Sequence, residues 1–569
     1  MKQQFFRISL VFCTSIISIT SITYCLQPAL DQSAVKRTSS DELKRALDTY
    51  APGLITSAEF PDAPFTLAIG EKRLPCDRSL LEKLYNLLVN TNQYRDQVAQ
   101  VRRLDTTLPL CTGEQEFLAK RDAHCQQRLE QLLGHPVPRT PRIAICLSGG
   151  GYRAAICSAA FLDTFDKIGF LDAAQYISSL SGSTWAVAPW LINQNCPFHN
   201  FYGEFLQRLH NNIFQKSAPE QLEDVAHSLS IVTETFLRKL AFDEVPSLID
   251  FYGMLLALSL FSQEERHNFF SIDLSSQIAV CKDGNMPLPL YTANDVHKKL
   301  STVVEFSPFE VSVPDWGIAI PSWSLGRKFN AGVSQNTPPT LTLGYLMGIW
   351  GSALSLSCKD LFDFTLDKLE PKVLFEPIKQ LLYETVIGDL RVMPARVRNM
   401  TCKMDNVPYP KKQLLTVVDQ GLTYNLPFLP LVNPSRAIDV IIVLDVSGNV
   451  NTGDELRKAE ADMRAHCVLF PPIDYTNVAT NICSVFDAGP HSKAPVVIYL
   501  PLTKNDNYSQ SYDPWALLQV GSPLNTLNFI YSSSDITNVC GLIEQSVMES
   551  YQTIISTIET VVQRKANQA

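Results

Sequence analysis

Hydrophobic and polar positions along this chain change period several times, and each change marks an element. From Ser40 to Leu133 the patterning is helical, opened by Ser39-Ser40 ahead of Asp41-Glu42. Its last stretch, Glu114 to Leu133 (EQEFLAKRDAHCQQRLEQLL), sets apolar residues three to four apart among charges and predicts an amphipathic helix. Gly134 suits a helix stop, and Pro136, Pro138 and Pro141 make a stiff linker. The next run, Arg142 to Leu147 (RIAICL), is continuously apolar, as in a strand buried on both faces. Gly149-Gly150-Gly151 interrupts it, and helical spacing resumes from Arg153 to Ile168. The pattern then recurs, with a strand over Gln175 to Leu180 and a helix over Ser183 to Leu191.

Strand, turn and helix twice over predict a parallel sheet flanked by helices. Phe198 to about Phe270 reads as mainly helical, and Pro287 to Tyr291 and Thr302 to Phe309 as strands returning to the sheet. Thr340 to Leu356 and Lys359 to Val392 read as helices, the first markedly apolar. Leu414 to Val418, Ala437 to Leu444 and Val496 to Leu500 are further strands, and Ile536 to Arg564 is a helical tail. The expected fold is α/β: a central mostly parallel or mixed sheet between helices. A helical insertion within about residues 198–404 is placed to cap its turns.

Composition narrows the picture. A chain of 569 residues can bury a large core and more than one lobe. The formal charge of −9 gives no basic footprint for nucleic acid. At the N-terminus, Lys2 and Arg7 flank an apolar, Ser/Thr-rich stretch from Ile8 to Tyr24, the pattern of a signal peptide, with Thr23 and Cys25 at the −3 and −1 positions. Export or secretion is the expectation, with an uncleaved signal anchor as the alternative. The fourteen cysteines show no paired C-x-x-C spacing, so no metal site is expected. Cys146 and Cys157 fall in a strand and a helix and read as buried thiols, whereas Cys111 with Cys125, or Cys467 with Cys483, are candidates for pairing in an oxidising compartment. Asn399-Met400-Thr401 and Asn507-Tyr508-Ser509 are glycosylation sequons.

The chemistry lies in the turns. Ser179-Leu180-Ser181-Gly182-Ser183 joins a strand to a helix, a geometry that exposes a hydroxyl beside a helix N-terminus. Ser181 is the candidate nucleophile, with Ser183 the nearest competing hydroxyl; serine-glycine pairs are also common in ordinary loops. Gly150 and Gly151 have no Cβ, so their N–H groups can converge on one oxygen as an oxyanion hole, or simply form a tight turn. Neither a Gly-Lys-Ser/Thr nor a G-x-G-x-x-G pattern is present to support a nucleotide loop. Arg153, just beyond, can hold a phosphate by paired hydrogen bonds or form a surface ion pair. Asp419-Gln420-Gly421 ends an apolar strand; Asp419 suits a general base, and equally a turn aspartate. None of the nine histidines stands beside a matching strand-end motif, which favours a Ser–Asp dyad over a triad.

These residues resemble the group IV cytosolic phospholipase A2 and fungal phospholipase B family, related to the patatin-like hydrolases. SGGGYRA, LSGSTW and VVDQGLTYNLP are similar to its catalytic blocks. EQEFLAKR, PLPLYTA, VEFSPFEV, LMGIWGSALS and PSRAIDVIIVLDVS are similar to further blocks, in family order over roughly residues 110–550. The resemblance implies Ser181 as nucleophile, Asp419 as base, Gly150 and Gly151 as oxyanion hole, and Arg153 as the substrate phosphate ligand, with Arg436 assisting at the site mouth. It implies no cofactor and a phospholipid membrane surface as the partner.

Two departures from the family pattern stand in the turns: Ser179 replaces the first glycine of the elbow, where it can strain the turn, and Gln420 replaces a small residue beside the base. The expected domains are residues 1–25 as signal peptide or anchor, 26–110 as a helical extension, and 111–560 as the catalytic domain. The extension is short and helical where a calcium-binding C2 domain would stand, so calcium-independent hydrolysis of glycerophospholipid acyl esters is expected. The alternative is a weak or inactive lipid-binding member of the same fold; a serine hydrolase of another class would leave Arg153 and the apolar cap unexplained.

Overall fold

The computed structural model describes residues 85–104, 110–192, 197–210, 247–297, 300–352 and 394–567, with short pieces before residue 85 and between 231 and 244. The signal-peptide segment and the helix expected over Lys359 to Val392 lie outside the described residues.

A sheet of twelve strands forms the centre. In chain order these are β1 (Arg102–Arg103), β2 (Ile143–Leu147), β3 (Tyr176–Ser179), β4 (Leu288–His297), β5 (Leu300–Phe306) and β6 (Glu310–Val313). Then come β7 (Ile318–Pro321), β8 (Ala395–Arg398), β9 (Leu414–Asp419), β10 (Val440–Asp445), β11 (Ser484–Phe486) and β12 (Val496–Pro501). Their lateral order is β11-β12-β10-β2-β3-β4-β5-β6-β7-β1, with β9 joining β4 and carrying β8 on its far edge. The run β12-β10-β2-β3-β4 is parallel and the remaining pairings are antiparallel, so the sheet is mixed.

Burial follows the apolar runs. Every residue of β2 (IAICL), β10 (VIIVLD) and β12 (VVIYLP) is buried, as strands covered on both faces require. The covering helices are α1 (Thr112–Leu133), α2 (Gly151–Ile168), α3 (Thr184–Trp190), α4 (Phe198–His210), α5 (Leu248–Leu260), α6 (Leu343–Trp350), α7 (Asp454–Ala465) and α8 (Ser533–Asn567). Helix α2 is buried from Gly151 through Phe165, because α8 packs over it and the sheet lies beneath. Its alanines (Ala154, Ala155, Ala159, Ala160) let neighbouring backbones approach closely, and it therefore ties the first glycine turn to the core. Helix α1 ends at Gly134 in the left-handed conformation, as its sequence indicates.

Three expectations change. The N-terminal extension is not purely helical: Phe65–Ile69 and Lys72–Cys76 pair as an antiparallel hairpin, and β1 joins the main sheet. The insertion holds more strands than the two expected, since β6, β7 and β8 lie within it beside β4 and β5. Cys111, Cys125, Cys467 and Cys483 are free thiols. Burial pushes the Cys111 thiol up to about 12 and the Cys125 thiol to about 11. Cys146 and Cys157 are buried thiols as read from their apolar surroundings. Among the described residues no helix is long and apolar enough to cross a membrane.

Candidate active site

Strand register brings Ser181 and Asp419 together. β5 occupies one edge of β4 over Tyr291 to His297, leaving the other edge to two strands. β3 runs parallel to β4 there and ends at Ser179, opposite Tyr291. β9 runs antiparallel along the same edge and ends at Asp419, opposite Ala293. The two strands therefore meet head to head, their last residues two positions apart on β4, or about 7 Å. Neither can continue, so both chains turn away from the sheet at this point. Asp419 caps its turn by accepting the Gly421 N–H at 2.7 Å, and its own N–H donates to Ser352 Oγ at 3.1 Å.

The turn after β3 is the sharp one. Ser181 has φ 51°, left-handed backbone held by a residue with a side chain. Ser179 is regular strand, so the serine in the first glycine position introduces no left-handed strain; the strain falls on Ser181. Ser183 Oγ donates to the Ser148 carbonyl and accepts from Ser158 Oγ at 3.0 Å. Ser183 and Ser179 have no exposure, whereas Ser181 keeps 6%, so of the three serines only Ser181 touches solvent.

The two glycine turns touch. A methyl group added to Gly182 would stand 2.6 Å from the carbonyl carbon of Gly151 and 2.9 Å from its Cα. Only a glycine allows the Ser181 turn to seat this closely on the first loop. Gly150 and Gly151 have φ 146° and 65°, conformations that L side chains rarely adopt. They open α2, whose N-terminus has no side-chain cap, so its first N–H groups are available to an anion.

Arg153 is fully buried behind this loop. Its Nε donates to the Val446 carbonyl at 2.7 Å, Nη1 to the Leu524 carbonyl, and Nη2 to Thr526 Oγ1 at 3.2 Å. All three acceptors are neutral, and burial lowers its pKa. A guanidinium kept in the interior without a hydrogen-bonded carboxylate is costly, the buried Asp445 acting on it only through space, and it lends positive potential to the Gly150 turn that its Nη2 packs against.

The structure does not bring Arg436 to this site. It precedes β10, whereas the glycine loop follows the parallel neighbour β2, so a five-residue strand of about 16 Å separates them. There it is locked between Glu114 (2.8 Å) and Glu305 over the ring of Tyr176. That is a structural ion-pair hub, and its donors are already engaged. His199 pairs with Asp166 at 2.7 Å, and His466 sits between Asp315 and Asp462. Among the described residues no group of His, Cys, Asp or Glu is arranged to hold a metal.

Two residues missed in the sequence reading face the site. Tyr252 of α5 lies near Asp419, and burial, Tyr152 and that carboxylate raise its phenol pKa. Asn425 is described below. Tyr252 lies in a uniformly apolar helix, where periodicity says nothing about a single hydroxyl.

The comparisons bear on the family and the fold. The family model for the lysophospholipase catalytic domain matches residues 143–459, from β2 through the first half of α7. The chain is similar to mouse cytosolic phospholipase A2 delta, 24% identical over 537 residues, covering 81% of this chain and 63% of that protein. It is also similar to human cytosolic phospholipase A2 zeta, 23% identical, covering 80% of this chain and 61% of that protein. The chain thus spans about three-fifths of the length of these curated relatives. In structure it is similar to human GIVD cytosolic phospholipase A2, with a TM-score of 0.67 and 23% identity over 82% of this chain and 66% of that one. With the model covering more than half of its residues, the chain belongs to the lysophospholipase catalytic domain family.

Proposed function

We propose that this protein is a calcium-independent serine phospholipase A/B and lysophospholipase that works through a Ser181–Asp419 dyad. The observation that carries the reading is the head-to-head meeting of β3 and β9 on one edge of β4, which sets a strained, reachable serine beside a buried aspartate. Asp419 takes the proton of Ser181 Oγ as the oxygen attacks the ester carbonyl carbon. The carbonyl electron pair moves onto its oxygen, which the Gly150 and Gly151 N–H groups hold. Collapse expels the lysophospholipid alkoxide, which takes the proton from Asp419. Water then cleaves the serine ester with the same base and releases the fatty acid.

Arg153 supplies the positive charge that favours a phosphate-bearing substrate. Its full burial means that this charge acts across the turn, or after the Leu524–Thr526 segment has moved. Export directed by the N-terminal segment, with activity at a phospholipid surface, completes the reading.

A fluorophosphonate probe tests the dyad directly. Covalent labelling at Ser181, abolished in Ser181→Ala and strongly slowed in Asp419→Asn, is expected. Absence of labelling in the folded wild-type protein would favour a lipid-binding member without turnover.

A further inference from the structure

Between the two halves of the site lies one side chain that the mechanism above does not use. Asn425 Oδ1 is the heavy atom nearest to where a Cβ would stand on Gly149, at 2.5 Å, and again on Gly421, at 2.7 Å. The same hypothetical Cβ on Gly149 would lie 3.0 Å from Ser181 Cβ, and that on Gly421 would lie 3.0 Å from Asp419 Oδ1. One amide therefore fills the space between the serine side and the aspartate side, and both neighbours are glycines that leave it room.

The backbone of Asn425 is tied at both ends. Its carbonyl accepts the Gly149 N–H at 3.1 Å. Its N–H donates to Glu455 Oε2 at 2.6 Å, and the other oxygen of that buried carboxylate is held by Lys458 at 2.7 Å. The chain from α7 through Asn425 to the glycine loop is thus continuous: Lys458, Glu455, Asn425, Gly149.

We infer that Asn425 is a positioning residue that fixes the base turn against the oxyanion loop, so that Ser181, Asp419 and the Gly150–Gly151 donors hold one geometry. The inference rests on the dyad reading. Its side chain acts as a wedge; its backbone bonds form the anchor. Removing the side chain keeps the anchor and loses the wedge, letting two turns that together define the attack geometry move independently. A misplacement of about 1 Å in such a site costs on the order of 10²-fold in rate.

The test compares wild type, Asn425→Ala and Asn425→Asp in steady-state hydrolysis of phospholipid vesicles, in fluorophosphonate labelling and in thermal unfolding. Asn425→Ala is expected to lower kcat and the labelling rate on the order of 10²-fold with KM nearly unchanged, while Tm stays close to that of wild type. Asn425→Asp keeps the shape of the wedge and is expected to recover part of the labelling rate. It also sets a second carboxylate beside Asp419, in a corner that Glu455, Tyr252, Tyr424 and the Arg153 guanidinium behind the Gly150 turn also face, so its pH–rate profile is expected to shift to higher pH. Unchanged kcat in Asn425→Ala overturns the inference. So does a loss that only tracks loss of folded protein in both variants, which would assign Asn425 to stability. Because the dyad is tested by Ser181→Ala, an inactive Ser181→Ala beside a normal Asn425→Ala refutes only this inference, and an active Ser181→Ala refutes the dyad itself.

Discussion

Substituting Gly182 by alanine perturbs the site by one methyl group at its tightest point. The new Cβ would lie 2.6 Å from the carbonyl carbon of Gly151 and 2.9 Å from its Cα, with the carbonyl oxygen nearer still. An ordinary contact to carbon is about 3.5–4.0 Å, so the two turns must separate by roughly 1 Å. Both partners are backbone, so no side chain can rotate away. Overpacking of this kind costs about 1–3 kcal/mol of stability, which a domain of this size can absorb. The effect on rate is larger, because the separation moves the nucleophile away from the donors that hold the oxyanion. Loss of one such donor costs about 10²–10³-fold, and a 1 Å misplacement alone about 10²-fold. Gly182→Ala is therefore expected to fold, melt a few degrees lower, and release fatty acid at least 10²-fold more slowly. The assay is initial-rate fatty acid release from phospholipid vesicles, beside circular dichroism and thermal unfolding of the same preparation. Activity within threefold of wild type would refute the argument that close seating of the two turns builds the oxyanion hole.

Other substitutions separate roles that the structure distinguishes. Arg436→Met leaves Glu114 and Glu305 buried without their cation and is expected to cost about 3–5 kcal/mol in denaturant unfolding; full stability with a selective loss of phospholipid binding would contradict its assignment to the core. Arg153→Lys loses the planar fork but keeps the charge, and is expected to lower kcat/KM on a phospholipid by about tenfold or more, while sparing a short ester that carries no phosphate. Equal loss on both substrates would mean that Arg153 serves only to hold the loop. In a glycosylating secretory host, Asn507, which is exposed, is expected to carry glycan. Asn399 is expected to carry none, since it is buried with its amide donating to the Tyr409 and Lys412 carbonyls; glycopeptide mass spectrometry decides, and glycan at Asn399 would mean that this corner opens.

The parallel half of the sheet was legible because its strands are short, apolar and bounded by glycine or proline. RIAICL, QYISSL and AIDVIIVL each became a buried strand within three residues of the expected ends. The antiparallel half was harder to read. β6 (EVSV) alternates and β7 (IAIP) is apolar and ends in proline, but each spans only four positions, too short a window for periodicity to speak. The hairpin at Phe65–Ile69 and Lys72–Cys76 was read as helix because its charged and apolar residues also fit a helical spacing. In the site, Ser181, Asp419, Gly150 and Gly151 were legible through the family resemblance of their blocks; the turns themselves favour the glycines and a capping Asp419, whereas Ser181 holds a left-handed φ of 51° that disfavours a side chain. Arg436 was placed at the mouth through the family resemblance of its block, whereas the loop after β9 carries the chain back to the opposite end of the sheet, where β10 begins. Asn425 was passed over because its role depends on two glycines, one of them Gly149, that come from different strands and meet only in the fold.

The central claim is that Ser181 and Asp419 form a working dyad. The most direct measurement is release of free fatty acid from mixed phospholipid and lysophospholipid vesicles by the purified protein with a calcium chelator present, beside Ser181→Ala and Asp419→Asn. The account predicts release by the wild-type protein and none above background from either variant. No release from any of the three folded proteins, or release undiminished in Ser181→Ala, would contradict it.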